Sequence, residues 1–441
     1  MPPLSEKLEV VLRNLMNHPV ATYQGKITGM RENKVQMKIP HATVGAIGRV
    51  DRESGPVRFE IVSVENGEQV GMPLDDLTGV ALNDTVWLEG AASRFPVGAA
   101  FLGNVVDSFG VSYDSGKPVP VSQHALLEGA QRNPLSRVPL SQPLPVGIAA
   151  IDGLLSLGRG QKQGIFAGSG VGKSVLLGQM AKSTKADVVI LALLGERGRE
   201  VQEFLQHQLG PEGRKKSVVV VETSDRAAVR RVRCAKAATT LAEYFQQQGA
   251  HVLLLMDSLT RFAMAQREIG MAALEPPMSK GYPPSLLPEM ARLVERCGNW
   301  EAAGSITGMY TVLVENDDLD DPVADMARSL LDGHLVLSRS LAEQTHYPAI
   351  DILQSVSRVM NAITSQSHQE RAQSFRKGYA LYMRNQEAIQ YGLYQRGSDP
   401  EIDKCIDLFP QWQAFLQQDK AQFWGWDETL QRLADAIRLG A

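Results

Sequence analysis

Apolar and polar positions change rhythm repeatedly along the chain. Leu4, Leu8, Val11, Leu12 and Leu15 recur at helical spacing and predict an amphipathic helix over residues 1–20. Its apolar face can pack on the chain's own body or dock to a partner helix. From residue 21 the period shortens to two. Residues 34–39 and 57–64 alternate, and Asn66-Gly67 is a tight-hairpin signal, so a small β-barrel is expected over 21–92. A proline-rich connector between Asn133 and Val146 leads into apolar runs near Ile165 and at 188–194, 218–221, 252–256, 306–314 and 334–338, separated by helical stretches. Uninterrupted apolar runs mark strands covered on both faces. Residues 93–365 therefore read as an α/β core, a parallel sheet layered by helices. Beyond 366 the strand signals vanish. Asp427 is placed to cap a helix carrying Leu430, Leu433 and Ile437 on one face, so 366–441 reads as a helical domain.

A length of 441 residues fits about two to four domains. With 44% apolar and 21% charged residues, the composition is that of an ordinary globular protein. The formal net charge of −4 gives no general electrostatic reason to bind nucleic acid. No run reaches the roughly 18 apolar residues of a spanning helix, and residues 1–6 do not open a signal peptide. Cys234, Cys297 and Cys405 are widely spaced and outside any Cys-x-x-Cys pair, which suits reduced, structural thiols in the cytoplasm.

Chemistry enters at Ala167-Gly168-Ser169-Gly170-Val171-Gly172-Lys173-Ser174. An apolar strand at 164–166 feeds this glycine-rich loop, and Val175 continues into a helix, the context a phosphate-cradling loop requires. Glycines at 168, 170 and 172 allow positive φ, which turns successive N–H groups onto one phosphate, and the helix N-terminus adds partial positive charge. Lys173 would meet the β- and γ-phosphates, and the Ser174 hydroxyl would ligate Mg²⁺. Ala167 replaces the usual first glycine. Asp257 closes an apolar strand and would hold Mg²⁺ through water, the alternative being a cap on the following helix. Glu196 follows another such strand and can orient an attacking water. Its alternative is an ordinary loop charge, with Arg197, Arg199 and Glu200 pairing in solvent.

Residues 348–357, with Pro348 and Asp351 followed by Ser355 and Ser357, match the signature of the rotary ATPase superfamily. Within it, 257–263 with 266–270, together with 281–285, 304–307 and 331–334, resemble the ATPases of bacterial type III protein export over essentially the full length. Residues 397–404 and 414–418 look more like the flagellar branch than the virulence injectisome. The resemblance implies a RecA-like core and Mg²⁺-dependent ATP hydrolysis that energises flagellar protein export, with an injectisome ATPase as the alternative. It implies that Glu196 is the catalytic glutamate, Arg197 a phosphate-side arginine and Arg358 an arginine finger lent by a neighbouring subunit. Tyr347 would stack on adenine, and Tyr394 would supply a second ring. One chain carries both glutamate and finger, so a homohexamer could complete every site.

By the same resemblance, the N-terminal helix would bind an export-ATPase regulator. The acidic stretch from Glu315 to Asp321 would face a central coiled-coil axle protein. Export-gate and cargo–chaperone complexes are the further partners, and the location is cytoplasmic, peripheral to the inner face of the cytoplasmic membrane. Arg226, Arg230, Arg231, Arg233 and Lys236 read as a solvated or inter-subunit helix face, with an acidic-lipid contact as the alternative. A hexameric RNA translocase is the strongest rival, but residues 21–92 offer few stacking aromatics, Tyr23, Phe59 and Trp87. A non-catalytic ring subunit would lack the glutamate, and a proton-coupled rotary enzyme would differ over 260–270.

Overall fold

The computed structural model describes residues 23–31, 34–91, 94–130, 132–314 and 321–438. The helix expected over 1–20 and acidic residues 315–320 lie outside them. Strands β1 (Gln24–Arg31), β2 (Lys34–Lys38), β3 (Ala46–Val50), β4 (Val57–Glu65), β5 (Glu68–Pro73) and β6 (Thr85–Ala91) close into a barrel in the order β1-β2-β5-β4-β3-β6. Period-two alternation buries Ile27, Met37, Phe59, Ile61 and Val86 inside it. Asn66 (φ 51°) and Gly67 (φ 82°) form the β4–β5 turn, the left-handed pair whose twist matches a hairpin.

The α/β core follows with β7 (Arg94–Val97), β8 (Val105–Val106), β9 (Gln123–Leu126), β10 (Lys162–Ala167), β11 (Val188–Glu196) and β12 (Ser217–Thr223). It continues with β13 (His251–Asp257), β14 (Gly298–Asn299), β15 (Ser305–Leu313), β16 (Gly333–Leu337) and β17 (Ile350–Ser357). β7 and β9 form a separate ribbon. The rest make a nine-stranded sheet in the order β17-β16-β10-β15-β13-β11-β12-β8, with β14 beside β15. From β16 through β8 the neighbours on this path run parallel, while β17 returns antiparallel at the edge. Apolar-run reasoning missed β17 because an edge strand alternates. Ile350 and Ile352 are buried, but Leu353, Gln354 and Val356 are exposed.

Helices Gln366–Gln390, Pro400–Leu416 and Trp426–Ala436 complete the chain. Phe375 packs its ring 5.7 Å from Trp412 and 5.5 Å from Phe415 between the first two. The expected Asp427 cap is corrected. Gly425 is the N-cap, and Asp427 sits within the first turn, where its charge suits the helix dipole without capping. All three cysteines are buried and free.

The basic cluster is also corrected. Helix Ala228–Gln247 turns most of it inward, against the barrel and the core. Arg230 is buried and meets Glu222 and Asp107 at 3.0 Å each. Arg233, also buried, lies 4.5 Å over the Phe109 ring, which Arg58 of the barrel covers at 4.6 Å. Lys236 pairs with Glu128 (2.7 Å) and Glu289 (3.2 Å), and Arg231 with Glu268 (2.8 Å). Only Arg226 of the five is exposed. Buried guanidinium groups persist because carboxylates from distant strands satisfy them.

Glu60 of β4 faces this seam, with Oε2 sealed from water and bonded to no donor. Burial pushes its carboxyl up to about 7, against the pull of Arg233 and Lys236 and with help from Glu128. A raised carboxyl stabilises the fold below its unfolded value, and that contribution is lost as pH rises through about 7. Glu60→Gln should therefore melt with wild type at pH 4.5 and above it at pH 8, by thermal unfolding. Parallel curves at both pH values would contradict the assignment.

Candidate nucleotide site

β10 delivers the chain to the carboxyl edge of the sheet, and residues 168–172 turn it into helix Lys173–Ser183. Gly170 (φ 80°) and Gly172 (φ 90°) take the left-handed conformation, Gly172 as the helix N-cap. Gly168 does not, so the expectation of three positive-φ glycines holds at two. Ser169 and Ser174 are exposed, Val171 is buried and Val175 is half-buried. The result is an open loop of backbone N–H groups at a helix N-terminus, suited to an anion.

Two carboxylates converge on the lysine of that loop. β11 and β13 are neighbours, with Leu193 opposite Asp257. Glu196 extends past this register through an irregularity at Gly195 (φ 67°), which re-aims the strand end. Lys173 Nζ donates to Asp257 Oδ1 at 2.6 Å and stands 3.8 Å from Glu196 Oε1. Thr311 Oγ1 of β15 donates to the same Asp257 oxygen at 2.7 Å. Glu196 Oε1 is sealed from water and has no hydrogen-bond partner. Burial, then the charge of Asp257, push the Glu196 carboxyl up to about 7, while Lys173 and Arg261 pull it down. Sequence reasoning gave Thr311 and Arg261 no role. Arg261 carried a faint signal, a cation one helical turn after Asp257, and its stem lies against Gly195.

Other expected residues are spread around this cluster. Tyr347, 44% exposed, faces Gly172 and borders a cavity of about 500 Å³ with Val171, Val175 and Pro348. Arg197 stays outside, with its side chain 82% exposed and paired to Glu200 at 3.5 Å. Tyr394 does not border the cavity, because its hydroxyl is engaged by Asp399 and Asp403 at 3.0 Å each. Arg358 follows the far end of antiparallel β17. Its Nη1 donates to the Leu331 carbonyl at 3.2 Å. That carbonyl precedes β16, whose other end, Leu337, pairs with Ala167 at the phosphate loop. At ~3.3 Å per residue, the strand separates Arg358 from its own phosphate loop by more than ~13 Å.

The family model for the nucleotide-binding domain of the ATP synthase alpha/beta family matches residues 147–357, and that for the T3SS EscN ATPase C-terminal domain matches 364–435. The flagellum-specific ATP synthase of Salmonella typhimurium is 45% identical over 421 residues, 92% of this chain and 91% of the relative. The chain belongs to the type III secretion ATPase family. The assembled ATPase EscN of the enteropathogenic E. coli type III secretion system superposes with a TM-score of 0.88 at 40% identity, covering 94% of this chain and 100% of that one. EscN solved in complex with its central stalk EscO gives 0.87 at 40% identity, over the same shares.

As a type III secretion ATPase the chain binds and hydrolyses ATP, on a core that the rotary ATP synthases share. A carboxylate at position 196 can orient an attacking water only when ionised. With its carboxyl raised to about 7, kcat/KM for ATP should climb between pH 6 and 8. Glu196→Gln should hydrolyse ATP at least about a hundredfold more slowly and lose that pH dependence. A flat wild-type profile, or a Glu196→Gln variant that keeps the slope, would remove Glu196 from the water-orienting role.

Proposed function

We propose that this chain is a Mg²⁺-dependent ATP hydrolase that energises type III protein export as a homohexameric ring, each site completed by the neighbouring chain. The single observation that carries this reading is the placement of its charges. Lys173, Glu196 and Asp257 gather at one end of the sheet, while Arg358 is fixed at the other. A transferring phosphoryl group spreads negative charge over its oxygens, so catalysis is mainly positioning and neutralisation. Lys173 and the loop N–H groups from Gly168 to Ser174 hold the phosphates, and Glu196 orients the water. Arg358 cannot serve its own site, and a ring brings it to the next one. Arg197 would have to leave Glu200 to reach a phosphate, and Tyr347 offers its face to the base.

The donors suit Mg²⁺, a hard cation bound by oxygen. The Ser174 hydroxyl would ligate it directly and the Asp257 carboxylate through water, and when bound it supplies further neutralisation of the phosphates. Thr311 keeps the Asp257 carboxylate oriented. The stalk-bound EscN supports an axle partner for the acidic stretch ending at Asp321. The regulator, export-gate, cargo–chaperone and membrane contacts rest on the resemblance. Among the described residues no helix is long and apolar enough to cross a membrane. The basic cluster gives little support to an acidic-lipid contact, since four of its five members face inward or pair with carboxylates.

Two export systems use such an enzyme. Residues 397–404 and 414–418 favour the flagellar one, as does the Salmonella relative. The injectisome reading is favoured by the EscN C-terminal model over 364–435, which spans those same residues, and by the EscN superpositions. Expression in strains lacking either ATPase separates them, the flagellar reading requiring restored swimming and the other restored effector secretion.

Arg358→Ala should bind ATP with unchanged affinity and hydrolyse it on the order of a thousandfold more slowly, as other arginine fingers behave. Wild-type turnover by that variant would exclude the lent arginine.

A further inference from the structure

Gln418 is 5% exposed, and its whole carboxamide is bonded to backbone. Oε1 accepts from the Ala149 N–H at 2.9 Å. Nε2 donates to the carbonyls of Gly147 and Gln422, both at 2.8 Å. The Gln418 N–H itself donates to the Tyr347 carbonyl at 2.9 Å. Three distant stretches thus meet at one residue, two through its carboxamide and the third through its backbone N–H: the 147–149 lead into helix Ala149–Leu154, the 417–422 turn beside the same cavity, and Tyr347, whose ring faces Gly172.

The 147–149 stretch is itself anchored. The Asp152 carboxylate accepts from the N–H groups of Val146 (3.0 Å) and Gly147 (2.8 Å). Ser183, the last residue of the phosphate-loop helix, donates its hydroxyl to the Val146 carbonyl. A continuous path therefore runs from that helix through Val146, Gly147 and Gln418 to Tyr347. It ties the ring beside the cavity to the far end of the phosphate-loop helix.

We propose that Gln418 is a positioning residue for the base-binding half of the nucleotide site, acting through Tyr347 rather than on the nucleotide. This rests on reading the cavity beside Gly172 as the seat of the base. A platform already held in place spares the nucleotide the cost of ordering it. Glutamine fits by count, since the site takes one acceptor and two donors at that reach. Glutamate would turn an acceptor toward two carbonyls, and an apolar side chain would strand the buried Ala149 N–H and take one donor each from the Gly147 and Gln422 carbonyls. The phosphates are held elsewhere, by Lys173 and the loop, so losing Gln418 should weaken ATP binding and leave the chemical step alone.

The test uses the full chain carrying Gln418→Met, with Gln418→Asn as the milder change that keeps a carboxamide one methylene short. Thermal unfolding confirms that each variant folds. Steady-state hydrolysis should show KM for ATP raised about tenfold in Gln418→Met and less in Gln418→Asn, with kcat within about twofold of wild type. Inorganic tripolyphosphate, which has no base, should inhibit every variant with the wild-type constant. Adding Gln418→Met to Tyr347→Ala should raise KM no further than Tyr347→Ala alone. An unchanged KM, a tripolyphosphate constant that rises in step with KM, or additive effects in the double variant would each overturn the proposal. Lys173→Ala reports on the underlying reading: it should lose both hydrolysis and, by equilibrium titration, the binding of tripolyphosphate. If it keeps both, the nucleotide site itself has been misplaced.

Discussion

Lys173 stands between two carboxylates, 2.6 Å from Asp257 and 3.8 Å from Glu196, at the edge where the parallel strands end. Two acids this close, both largely out of water, repel one another and resist ionisation together. One ammonium lets them share the space. Its effect is incomplete, and the Glu196 carboxyl, raised to about 7, records the remainder. Much of the core serves this contact. The parallel register sets β11 beside β13, the Gly195 irregularity carries Glu196 past Asp257, and left-handed Gly170 and Gly172 bring the lysine back over the strand ends. The arrangement is strained electrostatically but open to phosphate, which offers the lysine a third anionic partner.

The edge strand imposes the complementary constraint. Because β17 runs antiparallel to β16, the chain passes the phosphate loop at Tyr347 and Pro348 and leaves it again before reaching Arg358. An aromatic platform and a cation separated by one strand therefore sit at opposite ends of the same sheet. On the proposed reading, a single copy can build the base seat but cannot neutralise the transferring phosphoryl group with Arg358. In the proposed ring, copies joined head to tail by a heterologous contact would bring the far end of one sheet to the near end of the next.

What the sequence made legible is local. Period-two alternation and Asn66-Gly67 marked the barrel, and uninterrupted apolar runs marked the buried parallel strands. The glycine loop, Glu196 and Asp257 could be placed because each follows directly on its strand. Long-range partners left no such trace. Arg230 looked like part of a solvated charge run because Glu222, Asp107 and Asp75 reach it from elsewhere in the fold. Thr311 lies 54 positions from the aspartate it orients. Gln418 entered only as part of 414–418, a stretch of flagellar resemblance, though its carboxamide and backbone N–H together join three segments. Local rules also erred at Asp427 and Gly168, where the helix began two residues earlier than expected and the turn needed fewer left-handed positions.

A site divided between two chains is tested most directly by mixing. Glu196→Gln and Arg358→Ala chains, each expected to be inactive alone, are combined before assembly and assayed for phosphate release. A pocket then works only where an Arg358→Ala chain supplies Glu196 and its Glu196→Gln neighbour supplies the arginine. At equal proportions, recovery should approach about a quarter of the wild-type rate if subunits assort freely in a cyclic ring. Mixed assemblies that stay as inactive as either parent would contradict a shared active site.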